Sequence, residues 1–536
     1  MPLFRSPWWN NRDPAFVSAA SAAAAVALAL IIAYKQQKRI AASKHHPEYK
    51  EISSPKGRYP LFGHLLSIKP DVSLSQQLTG WHNEFNTPIL QLDMGIQKWI
   101  SLNDPKMAHE IFVTNGAIAS SRPIMAFTYK NYALGGKGVV FTKAGKSWRN
   151  TRKAVLTILA PKMVDGFRVA IDQEVDYLIA NLTKNSDPTT GVNPVKCLQL
   201  ASLNLILATC FAKRAKSIDD PLFKEIVQYV EDSVSYGSPA NDLAAYVPVM
   251  KVLDLFTGKK KKAEGERLIG IRDTLFKAMI KEAKESNTDS FIKTLYEIKD
   301  EHELDDNDIM VTMSDLTIAG TDTTSVSLSW AFLILMNRPN VQKKIHAELD
   351  AFVAEHNRAP TFDDRSRLPY LVAVQKECMR FRNITEIGMT HVTDEDIECQ
   401  GYIIPKGAIV MCNMNGVHLN SEVFHDPEEF IPERFLDSQS TMYAAANGRL
   451  ENRDHYQFGW GRRICPGIYL SETEMFIALI RVFVGYSLEP PLDQQGRSIK
   501  QDDSKAVSAG IVVTPAPYNV RFVERSERPR GITPVN

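Results

Sequence analysis

Most of this chain carries helical patterns of apolar and polar positions, and only a few short stretches alternate as strands do. Helices are predicted over residues 167–182, 200–210, 308–336, 368–380 and 468–484. Alternation at residues 88–94 and 99–102 predicts a small half-buried sheet. A proline and glycine turn predicts a hairpin over residues 401–411, and residues 506–513 resemble a strand. The pattern therefore predicts a mainly α protein with a minor β-sheet.

One apolar stretch near the N-terminus differs from the others, because residues 15–34 are twenty residues without a charge. This length suffices for a helix that spans a bilayer, and a cleaved signal peptide is the alternative. Positive charges are denser after the stretch than before it, which places the bulk of the protein on the cytosolic side. They are Lys35, Lys38, Arg39 and Lys44 after it, and Arg5 and Arg12 before it.

The predicted order of segments follows from that stretch. It comprises a lumenal N-terminus over residues 1–14, a transmembrane anchor over 15–34, a linker over 35–50, one main domain over 51–525 and a loose tail over 526–536.

Composition narrows the classes of function. A formal net charge of +1 over 536 residues gives no electrostatic support for a nucleic-acid partner. The six cysteines, at positions 197, 210, 378, 399, 412 and 465, show no paired short spacing. This argues against a disulfide framework or a zinc knuckle and fits a reducing compartment.

Cys465 stands out among the cysteines because it ends a glycine-rich turn, Phe458 to Gly467, directly before a predicted helix. Helix-terminal N–H groups and the helix dipole favour a thiolate there, which would be a good axial ligand for haem iron. Gly459, Gly461 and Gly467 would allow unusual dihedral angles and a close approach to a flat macrocycle. A small buried hydrophobe is the ordinary alternative for a lone cysteine.

The long helix predicted over residues 308–336 contains Ala-Gly-Thr-Asp-Thr-Thr at 319–324. Glycine and threonines are locally unfavourable inside a helix, and such a local conflict suggests function. Threonine hydroxyls can also bond the carbonyls of their own helix and leave a groove. The alternative is a packing glycine beside threonines that only bond their own helix.

Two further pairs share a helical face. Trp148 and Arg152 are spaced i, i+4, and Glu377 and Arg380 are spaced i, i+3. Taken alone, the first pair indicates an amphipathic helix with an exposed arginine, and the second a surface ion pair of small energetic value.

Together these segments resemble the cytochrome P450 family, and they occur in the order that the family has. The haem-loop pattern Phe-x-x-Gly-x-Arg-x-Cys-x-Gly is matched by Phe458, Gly461, Arg463, Cys465 and Gly467. Residues 319–324 fit the pattern Ala/Gly-Gly-x-Asp/Glu-Thr-Thr/Ser, while Trp-x-x-x-Arg and Glu-x-x-Arg fit residues 148–152 and 377–380. The resemblance runs from about residue 50 to 525 and implies the P450 fold.

The resemblance implies haem b with Cys465 as its axial thiolate. Trp148 and Arg152 would bind one haem propionate, and His391 the other, although His391 could equally be a satisfied surface histidine. Asp322 would relay protons from solvent, and Thr323 would act beside the haem. A buried cluster in which the arginine of Pro432-Glu433-Arg434-Phe435 joins Glu377 and Arg380 would have a folding role only.

The resemblance also implies a haem-thiolate monooxygenase in the endoplasmic reticulum membrane. Its expected partners are NADPH-cytochrome P450 reductase, with cytochrome b5 as an optional second donor, and a lipophilic substrate, steroid or terpenoid first. Selectivity would lie in residues 122–138, 204–252, 383–390 and 508–511. A P450-like isomerase or dehydratase acting on a peroxide, and a non-catalytic haem-binding sensor, are the alternatives.

Overall fold

The computed structural model describes residues 48–237, 241–252 and 254–526. The predicted lumenal segment and transmembrane anchor lie outside the described residues, as do most of the linker and nearly all of the tail. Their assignments therefore stay predictions. Within the described part of the chain, one helix, Asp306–Met336, is long and apolar enough to span a membrane. Most of that helix is buried in the protein, which identifies it as a core helix.

Helices form most of the structure, as the sequence predicts. The α-helices are α1 Leu74–Phe85, α2 Pro105–His109, α3 Lys146–Ile158, α4 Pro161–Asp165, α5 Arg168–Asn185, α6 Val195–Phe211, α7 Pro221–Tyr236, α8 Leu243–Tyr246, α9 Asp254–Glu285, α10 Phe291–Ile298, α11 Asp306–Met336, α12 Pro339–His356, α13 Pro369–Phe381, α14 Met414–His418, α15 Met442–Asn447 and α16 Ile468–Gly485. Short π-helical segments occur at Glu110–Thr114 and Ala126–Tyr132, and 3₁₀ turns at Leu65–Ser67, Pro248–Val252, Phe362–Arg367, Pro432–Phe435, Leu450–Asn452 and Gly461–Arg463.

Helix α11 is the centre of the fold. Asp305 and Asp308 form a reciprocal capping box at its start, and Asn337 ends it just before the proline that begins α12. Helix α6 packs tightly against it, because a Cβ at Gly320 would lie 2.5 Å from Ile206 Cδ1. The predicted long helix is thus confirmed, and Gly320 has the packing role that the ordinary interpretation assigned to it.

A four-stranded sheet in the order β1-β2-β6-β3 lies beside the helices. Strands β1 (Ile89–Met94) and β2 (Gln97–Leu102) form the predicted pair, and β6 (Ile409–Cys412) runs parallel to β2, with β3 (His391–Val392) antiparallel to β6. The other strands form two-stranded pairs, namely β4 (Ile397–Cys399) with β5 (Tyr402–Ile404), β7 (Tyr486–Glu489) with β10 (Arg521–Glu524), and β8 (Ala506–Ala509) with β9 (Val512–Pro515).

One strand prediction is wrong in its pairing, and another is wrong in its extent. The expected hairpin over residues 401–411 does not form. Strand β5 pairs with the preceding strand β4, while β6 joins the larger sheet. The strand expected over residues 506–513 is two strands, β8 and β9, which turn at Gly510 with φ +81°. The apolar pattern locates the strands, but β6 pairs with β2, which is distant in sequence, and the turn at Gly510 folds the stretch 506–513 into a local hairpin.

A buried charge cluster joins α13 to the turn Pro432–Phe435, as the sequence predicts. Both oxygens of Glu377 accept hydrogen bonds of 2.7 Å from the Arg380 guanidinium, and Arg434 Nε lies 3.2 Å from the same carboxylate. Glu377 and Arg380 are essentially inaccessible to solvent. The interpretation as an ordinary surface pair is therefore wrong.

Candidate active site

A large cavity lies between α11 and the turn that carries Cys465. It contains about 2110 Å³ of space not filled by atoms, part of it open to solvent. All four segments expected to control selectivity contribute to its wall, through Arg122 and Tyr132, Ile206 and Val234, Ile384 and Met389, and Ala509 and Ile511. Most other lining side chains are apolar, among them Phe112, Phe141, Leu316, Ile318, Met414 and Val512.

The turn that holds Cys465 owes its shape to two glycines. Gly459 and Gly461 have φ angles of +77° and +55°, and a Cβ on Gly461 would lie 2.0 Å from the Phe112 carbonyl oxygen. The Cys465 N–H donates to Phe458 O at 2.9 Å, which closes the turn. Gly467 has an ordinary φ of −89°, so the unusual dihedral expected there is wrong.

Cys465 differs in environment from the two other cysteines that line the cavity. Burial raises the pKa of Cys210 and of Cys412 to about 12. Burial also raises the pKa of Cys465, whereas the Gly467 backbone N–H and the Arg152 guanidinium lower it. The expected stabilisation of a thiolate is present, although burial outweighs it in the free thiol.

Three arginines, Arg122, Arg152 and Arg463, line the cavity and are buried. Each guanidinium donates to backbone carbonyls, for example Arg122 to Thr390 O at 2.7 Å and Arg463 to Ser120 O at 2.8 Å. None of the three forms an ion pair with another described residue. Burial, followed by repulsion from neighbouring arginines, lowers the pKa of Arg122 to about 9 and that of Arg463 to about 8. The cluster is therefore suited to an anionic ligand.

Helix α11 contributes five residues of the segment 319–324 to the cavity wall, namely Ala319, Gly320, Asp322, Thr323 and Thr324. Thr323 Oγ1 donates to Ala319 O at 2.6 Å, and Thr321 Oγ1 donates to Thr317 O at 2.7 Å, so the threonines bond their own helix as predicted. The helix nevertheless stays continuous through this segment. Both Asp322 and Thr323 line the cavity, and the structure thus brings them to the same space as Cys465.

Comparison with known protein families establishes the family of this chain, since residues 53–522 match the cytochrome P450 family. The chain belongs to the cytochrome P450 family. It is a P450 monooxygenase, and its cofactor is haem b with an axial cysteine thiolate. The family that the ordered motifs suggested in the sequence is confirmed by the match.

Curated relatives extend over nearly the whole P450. It is 28% identical to cytochrome P450 monooxygenase 79 of Postia placenta, with 88% of this chain and 89% of that protein covered. It is also 28% identical to cytochrome P450 2D20 of Mesocricetus auratus, with 90% and 95% covered. A zebrafish cytochrome P450 structure superposes with a TM-score of 0.70 at 24% identity, over 85% of this chain and all of that one, which supports the fold.

The cavity of this P450 fits haem b by charge. Its arginine cluster lacks carboxylate partners among the described residues, and Arg152 Nε is buried without a hydrogen-bond partner. The two propionates of haem b would supply the missing negative charge. A thiol on the cavity wall supplies the ligand, since coordination to a metal removes its proton. When bound, the haem supplies the activation of O₂ and the transfer of one oxygen atom.

Two predicted propionate ligands are arranged differently from the simple expectation. Trp148 lies behind the cavity wall, where its indole N–H donates to Val139 O at 3.3 Å and its ring stacks 3.8 Å from the Arg463 guanidinium carbon. His391 is buried, so its interpretation as a surface histidine is wrong. Its Nδ1 donates to Ala119 O at 2.6 Å, and burial with nearby Arg122 lowers its pKa. The neutral ring therefore presents Nε2 as an acceptor, and binding a propionate requires the protonated ring.

Two residues of the site were not identified from sequence. The sequence places Arg122 only in the segment 122–138 expected to control selectivity, and no motif points to Asp315. Asp315 is buried on α11, where its Oδ2 accepts from Val139 N at 2.7 Å and Val140 N at 3.1 Å, and its Oδ1 from Tyr132 OH at 3.0 Å. A carboxylate within an otherwise apolar stretch of α11 was the available signal. Asp315 fixes the loop that covers the cavity.

Replacing Asp315 by leucine should lower the free energy of unfolding by about 3 kcal/mol, because two buried N–H groups lose their acceptor. Asp315→Asn retains a carbonyl acceptor, so its free energy of unfolding should fall less than that of the leucine variant. Burial raises the pKa of Asp315 to about 6, above its value in the unfolded chain. Its contribution to stability is thus complete below about pH 4 and is lost as the pH rises through 6.

Thermal unfolding of haem-loaded wild type and Asp315→Asn between pH 5 and 7.5 measures this effect. The melting temperature of the asparagine variant should improve relative to wild type as the pH rises. A constant difference over this range would show that Asp315 does not titrate there.

Proposed function

We propose that this P450 is a membrane-anchored, haem-thiolate monooxygenase that hydroxylates or epoxidises a neutral lipophilic substrate. The observation that carries the proposal is that Cys465, Asp322 and Thr323 line one and the same cavity. In this assignment Cys465 is the axial ligand, and the loop of Phe458, Gly461 and Gly467 shapes the turn around it. The transmembrane anchor over residues 15–34 would hold the domain on the cytosolic face of the endoplasmic reticulum.

The arginine side of the cavity has a positioning role in this proposal. Arg152 and Arg463 bind the propionates together with Arg122, and Trp148 acts by supporting the Arg463 guanidinium. His391 contributes if a propionate holds its ring in the protonated form. These side chains would hold the haem in the cavity that Cys465 lines.

The chemistry of the substrate follows from the remaining wall. Of the acidic side chains on the α11 side, Asp315 already accepts three hydrogen bonds from the protein, which leaves it unsuited to bind a cation. The apolar side chains of Ile318, Ile384 and Ile511 also line the cavity. A neutral steroid or terpenoid is therefore favoured over a charged compound. The zebrafish relative was solved with progesterone, which supports a search that starts with steroids.

Electrons would come from NADPH-cytochrome P450 reductase, with cytochrome b5 as a second donor. The two other functions are less favoured. A P450-like isomerase or dehydratase needs neither reductase nor an Asp-Thr pair, and this chain has both Asp322 and Thr323 at the cavity. A haem-binding sensor has no use for a proton-relaying carboxyl beside its haem.

The test is reconstitution of the full chain with NADPH-cytochrome P450 reductase under ¹⁸O₂, with progesterone first and neutral terpenoids next. The product should carry one labelled oxygen atom and should form only when NADPH and reductase are present. Turnover of a hydroperoxide without NADPH would instead establish an isomerase or dehydratase. Product without label would contradict the monooxygenase assignment.

A further inference from the structure

The hydrogen bond between Gln199 on α6 and Asp322 on α11 is unexplained by the assignments above. Gln199 Nε2 donates to Asp322 Oδ1 at 3.0 Å. The two residues are held together by tight packing of the helices, because Ile206 occupies the space beside Gly320. Gln199 and Ile206 are two helical turns apart and lie on one face of α6. The same helix contact therefore fixes the position of the Asp322 carboxyl.

The other half of the Gln199 amide has no partner. Gln199 Oε1 is buried, and no described protein group donates a hydrogen bond to it. A buried amide oxygen without a donor normally binds water. This acceptor lies beside Asp322, so a water molecule bound to it would be next to the carboxyl.

An exposed pair of charged side chains lies close to this amide. Lys196 lies one turn before Gln199 on α6, and its Nζ is 3.6 Å from Glu231 Oε1 on α7, with both side chains half-exposed. Burial raises the pKa of Asp322 most, and the Gln199 hydrogen bond lowers it; of the charged groups, Glu231 raises this pKa and Lys196 lowers it. On α16, the Glu474 carboxyl accepts its hydrogen bond from Ser202 Oγ at 2.7 Å.

We propose that Gln199 is the positioning residue that holds the Asp322 carboxyl at the place where protons arrive from solvent past Lys196 and Glu231. The inference rests on the proposed role of Asp322 in proton delivery. A neutral amide suits this task better than a cation would. A lysine or arginine would hold Asp322 ionised, whereas an amide stabilises the carboxylate weakly and lets it gain a proton from the solvent side and release one to the cavity.

The experiment compares two replacements of Gln199 in the full-length, haem-loaded protein. Gln199→Leu removes the donor, and Gln199→Lys adds a cation beside the carboxyl. The exposed Gln228, which donates to Asp232 at 2.8 Å on the surface of α7, provides the matched control variant Gln228→Leu. Asp322→Asn, alone and combined with each Gln199 variant, is the reference.

The first measurement needs no turnover. The difference in melting temperature between each protein and its Asp322→Asn counterpart, followed from pH 4 to 8, reports the ionisation of Asp322. The pH at the midpoint of this change should rise by roughly one unit in Gln199→Leu, because the Asp322 carboxylate loses a hydrogen bond. The midpoint should fall by roughly two units in Gln199→Lys. Gln228→Leu should match wild type.

The second measurement uses the reductase-supported enzyme with substrate. The ratio of hydrogen peroxide formed to NADPH consumed should increase at least about twofold in both Gln199 variants. If Asp322→Asn leaves that ratio at the wild-type value, the role of Asp322 is wrong and the inference is overturned with it. If Asp322→Asn raises the ratio while both Gln199 variants match wild type in ratio and midpoint, the inference alone is overturned.

Discussion

Replacing Cys465 by alanine should remove the strongly red-shifted Soret band of the reduced, carbon-monoxide-bound protein and lower oxygenation by roughly a thousandfold or more. The reason is that the thiolate pushes electron density toward the iron, and alanine has no ligand atom to replace it. Cys465 lies at the closed end of its turn, beside the N-terminus of α16 and under the influence of Arg152. No other cysteine at the cavity has these neighbours.

The matched controls are Cys210→Ala and Cys412→Ala, because both cysteines also line the cavity. Each should keep the red-shifted band, since each thiol is a buried apolar group with a raised pKa. Cys465→His tests the assignment if the alanine variant loses haem. It should bind haem and give a spectrum of the imidazole type. A red-shifted thiolate band in either Cys465 variant would contradict the assignment.

Replacing Glu377 by glutamine should lower the free energy of unfolding by about 3–5 kcal/mol and reduce the amount of haem retained per protein. The substitution leaves the guanidinium groups of Arg380 and Arg434 buried without a counter-charge. The wild-type cluster is close to ideal in geometry, since Glu377 also accepts from Ile431 N at 2.8 Å. Urea unfolding of the purified protein measures the change, and the haem absorbance per protein measures retention.

The Glu377→Gln variant should retain less haem, because the charge cluster contacts the cysteine turn through a chain of hydrogen bonds and a ring contact. Arg380 Nη1 donates to His418 O at 3.1 Å, and His418 Nε2 accepts from Tyr456 N at 2.9 Å. The Tyr456 ring in turn stacks on Trp460, with 4.9 Å between ring centres, inside the turn that leads to Cys465. Loosening of α13 is thereby transmitted to the ligand loop.

Asp219→Asn is the control, because Asp219 pairs with Lys224 at 2.8 Å on the exposed surface. It replaces a carboxylate by an amide in the same way, yet exposed pairs contribute only about 0–1 kcal/mol. Equal losses of stability in the two variants would show that burial of Glu377 does not matter, and the structural role of the cluster would be refuted.

The strongest predictions from sequence concerned groups that lie close together along the chain. Five residues of the cysteine turn fall within ten positions, and Glu377 with Arg380 are three apart on one helix. Spacing of this kind implies proximity whatever the rest of the fold does. The same holds for the central helix, whose apolar pattern and capping residues determine it locally. The family could therefore be inferred from the order of such segments.

The tertiary structure decided the contacts between distant segments. Gln199 reaches Asp322 over 123 positions, and Arg122 reaches Thr390 over 268. The pairing of β6 with β2 likewise depends on a segment that is remote in sequence. No local periodicity encodes such contacts, because they arise only when packing brings two helices or a loop and a strand together. The sequence by itself thus determined the fold class and the cysteine turn, whereas packing decided which charges surround the cavity and which side chain holds Asp322.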